Sequence, residues 1–298
     1  MYPRPFHYHR AHSFEEASSL LSQLGEEARL LAGGQSLIPL MKLRLANPAH
    51  LVDLNFVPKL SYIEKEGATI RFGALTRHAE IEASAAAQQI PILLDCAAGI
   101  ADVQVRNQGT LGGSLAEADP SGDWGPVLLT LSTKVRAVGP QGERTIPLSE
   151  FFVDAYTTAL GPEELLREVV VDIPPKNSGG AYLAFKRCAP VYATASAAIQ
   201  LTLGDKDVCR ETKIALGCVG LTAIRPGEAE RALQGQPLTK KNIDAAVEAA
   251  RAAAEPQSDM RGSAEYKREL VAVLLRKAMD TAIRRSRGER VEGGHIYA

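Results

Sequence analysis

Two short stretches, each built around a pair of adjacent glycines, restrict this chain more than any other feature. The first, Ala32-Gly33-Gly34-Gln35-Ser36, follows the apolar run Arg29-Leu30-Leu31 and precedes the amphipathic segment Leu37 to Leu45. Strand, glycines and helix in that order describe a backbone that bends tightly and comes close to something. Glycine has no Cβ, so its N–H can turn toward an anion at small steric cost. Ser36 adds a hydroxyl donor, and the following helix start contributes partial positive charge. The second stretch, Gly109-Thr110-Leu111-Gly112-Gly113-Ser114, has the same small, polar chemistry. It is neither G-x-G-x-x-G nor the lysine-bearing phosphate loop, so a plain structural bend stands beside diphosphate binding as its reading. Acting together, opposed loops would offer backbone donors to both phosphates without calling on lysine.

The neighbouring side chains extend that reading. Asp119 and Asp123 lie just downstream, in Ala118-Asp-Pro-Ser-Gly-Asp123. A carboxylate near a phosphate is unfavourable unless hydroxyls donate to it; a ribose or ribityl chain supplies them, which favours a nucleotide cofactor over free phosphate. Capping the helix that starts at Trp124 is the plain alternative for both. Lys186 and Tyr192 are candidates to approach a ring system, the lysine stabilising negative charge on it and the tyrosine lying against its face. A solvated charge and ordinary packing are their alternatives. Arg106 reads equally as a surface charge or a phosphate partner. There is no G-x-S-x-G, no evident carboxylate pair and no Cys/His dyad, so no catalytic side chain is assigned and a cofactor would carry the chemistry.

Composition narrows the classes. A chain of 298 residues has room for about two domains. With 34 basic against 35 acidic side chains, nothing points to nucleic acid. No apolar run nears the ~18 residues of a membrane span, and the first residues lack a secretory signal. A cytoplasmic chain is expected, free to dock to a membrane-bound partner. The cysteines Cys96, Cys188, Cys209 and Cys218 are scattered, and the six histidines have no ligand spacing, so no metal site is assigned. His7, His9 and His12 read as a polar N-terminal arm.

Along the chain, Ser13-Phe-Glu-Glu16 opens a first helix as a capping box, ended by Gly25. A strand at residues 29–31, the glycine turn, a helix at 37–45 and a strand at 51–54 complete a small α/β unit. The pattern restarts after Lys59 with a strand at 69–72, helices near 76–82 and 91–100, a loop at 101–109, a helix at 124–131 and strands at 134–138 and 165–173. Pro174-Pro175, with Lys-Asn-Ser-Gly-Gly180, marks the best domain boundary. Beyond it come antiparallel strands at 182–186, 195–203 and 212–219, then helices at 228–233, 243–254 and 264–285. Residues 288–298 show no periodicity.

These residues resemble the FAD-binding medium subunit of molybdenum hydroxylases, the family that includes xanthine dehydrogenase and aerobic carbon monoxide dehydrogenase medium chains. The likeness rests on Ala32–Ser36 with residues 37–45 and Leu51-Val-Asp-Leu54, then on residues 100–114 and Ala118-Asp-Pro120. Gly161-Pro-Glu-Glu-Leu-Leu166, Phe185-Lys-Arg187, Tyr192-Ala-Thr-Ala195 and residues 258–266 continue it, so that it runs from about Phe6 to about Arg285. It implies an α+β fold of the vanillyl-alcohol-oxidase (PCMH) type. An FAD-binding domain would span 1–176, with subdomains of about 1–57 and 58–176. A C-terminal domain of three antiparallel strands and a helical bundle would span 177–288, and a tail 289–298.

The resemblance also implies function. FAD would be held noncovalently by Ala32, Gly33, Gly34, Gln35 and Ser36 and by Thr110, Gly112, Gly113 and Ser114. Asp123 would serve the adenosine or ribityl side, with Ile100, Leu166, Lys186 and Tyr192 near the isoalloxazine. The chain would accept electrons from a small [2Fe-2S] subunit and pass them to an external acceptor, while a large subunit carries the molybdenum cofactor, in a dimer of heterotrimers. A stand-alone FAD oxidase or reductase of the same fold is the alternative. One departure stands out: close members of the family carry Gly-Asp before the matched tyrosine, and here the pair is Pro190-Val191.

Overall fold

The computed structural model describes residues 2–297. Its first unit is a three-stranded parallel sheet, with His50–Asp53 between His7–Arg10 and Ala28–Leu31. The helix Phe14–Leu24 covers it, and the Ser13 side chain accepts from the Glu16 N–H as the capping box requires. The expected polar arm is therefore an edge strand: His9 Nε2 and His50 Nδ1 lie 3.0 Å apart across the strand pair.

The second unit is a five-stranded antiparallel sheet in the order Ile63–Glu66, Thr69–Gly73, Leu165–Asp172, Thr133–Gly139, Gly142–Pro147. Trp124, Phe72 and Phe151 anchor the core between this sheet and its helices. Three expectations are corrected here. The stretch 101–109 is not a loop throughout, because Asp102 caps a helix over Val103–Gln108 by accepting from the Val105 N–H. The second glycine pair is not a bend; it sits in the first turn of the helix Leu111–Glu117, capped by Thr110. The helix expected at 37–45 stops at Lys42, since Arg44 turns into the left-handed region (φ 61°).

The third unit is a sheet in the order Cys209–Gly217, Ala195–Leu203, Ser178–Lys186, Ile296–Tyr297. The helix Ala264–Ser286 lies across one face, and Gly179 is required there because a Cβ would stand 2.0 Å from the Ala282 carbonyl oxygen. Gly179 and Gly180 thus belong to the strand and not to a linker. Side chains alternate along a strand. Ala181 and Leu183 accordingly enter the C-terminal core, while Tyr182 and Ala184 enter the core of the second unit. The expected three-stranded sheet gains a fourth member: Ile296 and Tyr297 run parallel to Phe185 and Lys186, so this part of the expected tail is docked on the sheet.

Candidate functional site

The alternation in Ser178–Lys186 puts Lys186 on the same side as Tyr182 and Ala184, facing the first two units. There it meets a cleft of about 300 Å³ that Ala32–Ser36, Gly109, Thr110, Gly113 and Ser114 also line. That volume is within the range of small-molecule sites.

The first glycine loop reaches the cleft directly from the strand Ala28–Leu31. Gly34 takes a left-handed conformation (φ 70°), and a Cβ there would press within 2.9 Å of Ile38. No backbone N–H from Gly33 to Ser36 has a protein acceptor among the described residues. Ser36 makes no side-chain cap bond to the helix Leu37–Lys42, which leaves its hydroxyl uncommitted as well. Consecutive free amides at a turn form a concavity suited to an anion.

The second glycine pair behaves differently. The Gly112 N–H donates to the Ala74 carbonyl (2.9 Å), that of Gly113 to Thr110 Oγ1 (3.1 Å) and that of Ser114 to the Thr110 carbonyl (3.0 Å). The expected amide donors of this stretch are spent inside the protein, and Gly112 does not reach the cleft. Its glycine is needed for packing, since a Cβ would stand 2.6 Å from the Ala74 carbonyl oxygen. Thr110 and Ser114 still line the cleft, although the Thr110 hydroxyl also caps the helix. The two loops touch: a Cβ on Gly33 would be 2.9 Å from Gly109 Cα, and one on Gly113 would be 3.6 Å from Ala32 Cβ. A polar clip holds them from behind. Asn55 donates to the Ala32 carbonyl (2.9 Å), Arg77 donates to Asn55 (2.7 Å), and Arg77 also donates to the Gln108 carbonyl.

At the inner end, Asp123 Oδ1 accepts from the Tyr182 hydroxyl at 2.6 Å and lies 3.4 Å from Lys186 Nζ. Asp123 makes no cap bond to the helix Trp124–Leu129, so capping is not its role. Its Oδ2 has no protein donor among the described residues. Lys186 is 1% exposed and donates to the Gly99 carbonyl at 2.7 Å. An ammonium has three N–H donors, so one is left over. Ile100 lines the wall beside it. At the mouth stand Pro190, Val191 and the half-exposed Tyr192, whose ring lies 5.6 Å from the Arg261 guanidinium carbon. Glu117 and Asp119 are also at the wall; burial, then Asp119, pushes the Glu117 carboxyl above its ordinary range.

Leu166 is not brought to the cleft; it is buried in the second unit's core, opposite Ala137. Arg106 is not there either. It pairs with Glu82 (3.0 Å) and holds the Ile100 carbonyl (3.1 Å). Sequence reasoning missed His78, a buried wall residue whose partner, Trp124, lies 46 positions away. No local pattern announces such a pair.

Residues 4–175 match the family described as FAD binding domain in molybdopterin dehydrogenase, and residues 180–282 match the CO dehydrogenase flavoprotein C-terminal domain. The chain belongs to this FAD-binding family and is an FAD-dependent oxidoreductase subunit with the PCMH-type fold. It is 42% identical over 289 residues to the carbon monoxide dehydrogenase medium chain of Afipia carboxidovorans, covering 96% of this chain and 100% of that one. It is 41% identical to the 6-hydroxypseudooxynicotine dehydrogenase complex subunit alpha of Paenarthrobacter nicotinovorans, over 96% of this chain and 97% of that one. The structure of carbon monoxide dehydrogenase from Hydrogenophaga pseudoflava superposes with a TM-score of 0.92 at 40% identity, covering 95% of this chain and 98% of that one.

Proposed function

We propose that this chain is the FAD-binding, electron-transfer subunit of a molybdenum hydroxylase. It would accept electrons from a small [2Fe-2S] subunit and pass them to an external acceptor, beside a large subunit with the molybdenum cofactor, in a dimer of heterotrimers. Relatives titled medium chain or complex subunit support the partners, and a solved relative titled as lacking the Mo-pyranopterin moiety supports the molybdenum. Residues 1–176 form the FAD domain in this reading, with subdomains meeting near residue 57, and 177–288 the C-terminal domain. The assembly belongs in the cytoplasm, able to dock at the inner face of the membrane through a partner. No described helix is long and apolar enough to cross a membrane.

The observation that carries this reading is one cleft lined by a loop of four unengaged amides, a carboxylate with a free oxygen, a buried lysine and a tyrosine ring. Gly33, Gly34, Gln35 and Ser36 would hold the diphosphate, with Ala32, Thr110, Gly113 and Ser114 beside them. Asp123 Oδ2 would accept from a sugar or ribityl hydroxyl, while Ile100, Lys186 and Tyr192 would border the ring. Bound FAD supplies reversible two-electron redox chemistry. The remaining Lys186 donor would stabilise negative charge on the ring, and Tyr192 would shield its face from water.

Flavin content of the purified complex tests this. The wild type should carry about one FAD per chain, released on denaturation without a covalent remnant, and Gly34→Val should carry little. A Gly34→Val complex with full flavin would overturn the assignment of the first loop.

A further inference from the structure

His78 begins the helix His78–Ala83, is 4% exposed and lines the cleft. Its Nδ1 stands 3.1 Å from Trp124 Nε1. An indole N–H can only donate, so Nδ1 accepts, and a neutral imidazole must then carry its proton on Nε2. Nε2 has no protein acceptor among the described residues. It adjoins Gly109, where an added Cβ would come within 2.8 Å of it, and Gly109 is the residue against which Gly33 packs. The N–H is thus left without a protein partner beside the anion-suited loop, in a residue that lines the cleft.

We infer that His78 is a further FAD ligand, its Nε2–H being a fixed neutral donor to the diphosphate, with Trp124 as the positioning residue that sets the tautomer. This rests on the FAD reading of the cleft. A neutral donor suits this place. It adds a hydrogen bond to the anion without adding a charge whose pairing with the nearby Asp123 would compete for it. The charged groups facing the ring are Asp123 on the Trp124 side, Arg77 on its own turn and Arg106 from the helix Val103–Gln108. Burial, reinforced by the two arginines, outweighs Asp123 and keeps the imidazole neutral down to about pH 4.

The test uses the full chain in its purified complex, stripped of flavin, with FAD affinity read by flavin fluorescence. His78→Phe, which keeps a ring but has no donor, should weaken FAD by roughly ten- to a hundredfold, the effect of a hydrogen bond to a charged group. ADP, which keeps the diphosphate, should weaken by a similar factor. His78→Gln retains an N–H and should recover part of the loss, and the ³¹P resonances of bound FAD should move in both variants. Nitrogen-15 spectra of the wild type should place the His78 proton on Nε2. A merely structural histidine would lower the melting temperature of the apo-protein without moving the ³¹P signals. The inference is overturned by a His78→Phe protein that binds FAD within about twofold of wild type, or by a proton found on Nδ1. A Gly33→Ala control separates the failures. If it too binds normally, the diphosphate assignment of the cleft falls; if it alone loses FAD, only the role of His78 falls.

Discussion

A Cβ built on Gly33 would stand 2.2 Å from the carbonyl oxygen of Gln108. The obstacle is backbone, and Arg77 fixes the same carbonyl from behind, so it cannot swing aside as a side chain would. Glycine here lets two loops from different units close on one cleft. Gly33→Ala should wedge them apart. Overpacking of this kind costs about 1–3 kcal/mol. The expected outcome is at least a tenfold loss in FAD affinity with only a few degrees lost from the apo melting temperature. Fluorescence titration alongside thermal denaturation measures both, and unchanged FAD binding would refute the close-approach account.

Lys186 and Asp123 form a buried pair between the C-terminal sheet and the second unit, and each has a further partner in Gly99 or Tyr182. Removing one member leaves the other charge buried without compensation, at a cost of about 3–5 kcal/mol. Lys186→Met and Asp123→Asn should each destabilise by that order. The double variant should lose clearly less than the two losses added, because the orphaned charge is gone. Urea denaturation of the four proteins closes the cycle; simple additivity would mean the pair is not coupled.

Legibility followed the range of the signal. The helix Phe14–Leu24 was readable because its cap, its first-turn acids and its apolar spacing all lie within a dozen neighbouring residues. The first glycine loop was readable for the same reason: its strand, turn and helix are contiguous. The second pair misled, because glycines are poor helix formers and read as a turn. The contact with Ala74, which only the fold creates, and the Thr110 cap place them in a helix. Val103–Gln108 is a helix too short for apolar periodicity, announced only by Asp102. Lys186 read as solvated or ring-facing; its burial depends on Asp123 and the Gly99 carbonyl, both distant in the chain. Ile296–Tyr297 is too short to alternate. What was missed was tertiary.

The pH dependence of stability should carry the mark of His78. Burial holds its folded-state pKa down at about 4, against an ordinary value of 6.5. The unfolded chain therefore binds a proton that the folded chain refuses. The stabilising contribution is fully present above about pH 6.5 and is lost as pH falls toward 4, amounting to ~3 kcal/mol. His78→Gln should flatten the fall in stability between those pH values. Denaturant midpoints measured from pH 4 to 8 check this, and parallel curves for variant and wild type would contradict it.

The end of the chain offers the last prediction. His295 accepts from the Ala184 N–H at Nδ1 (3.2 Å) and donates from Nε2 to the Asp95 carbonyl (3.0 Å), next to Ile296 and Tyr297 on the edge of Phe185–Lys186. Arg285 holds the same segment through the Val291 carbonyl while pairing with Asp95 at 2.6 Å. The segment fits only because Gly99 and Gly293 lack side chains: a Cβ on Gly99 would stand 1.5 Å from His295 Nε2. Deleting residues 292–298 should forfeit the His295 bonds and the pairing of Ile296 and Tyr297, about 1–3 kcal/mol in net terms, or several degrees in melting temperature. Gly99→Ala should expel the segment and give a similar loss. Combining the two should be no worse than the deletion alone, since the methyl then has nothing to strike. A combined loss equal to the sum would show that Gly99 matters for some reason other than the docked terminus.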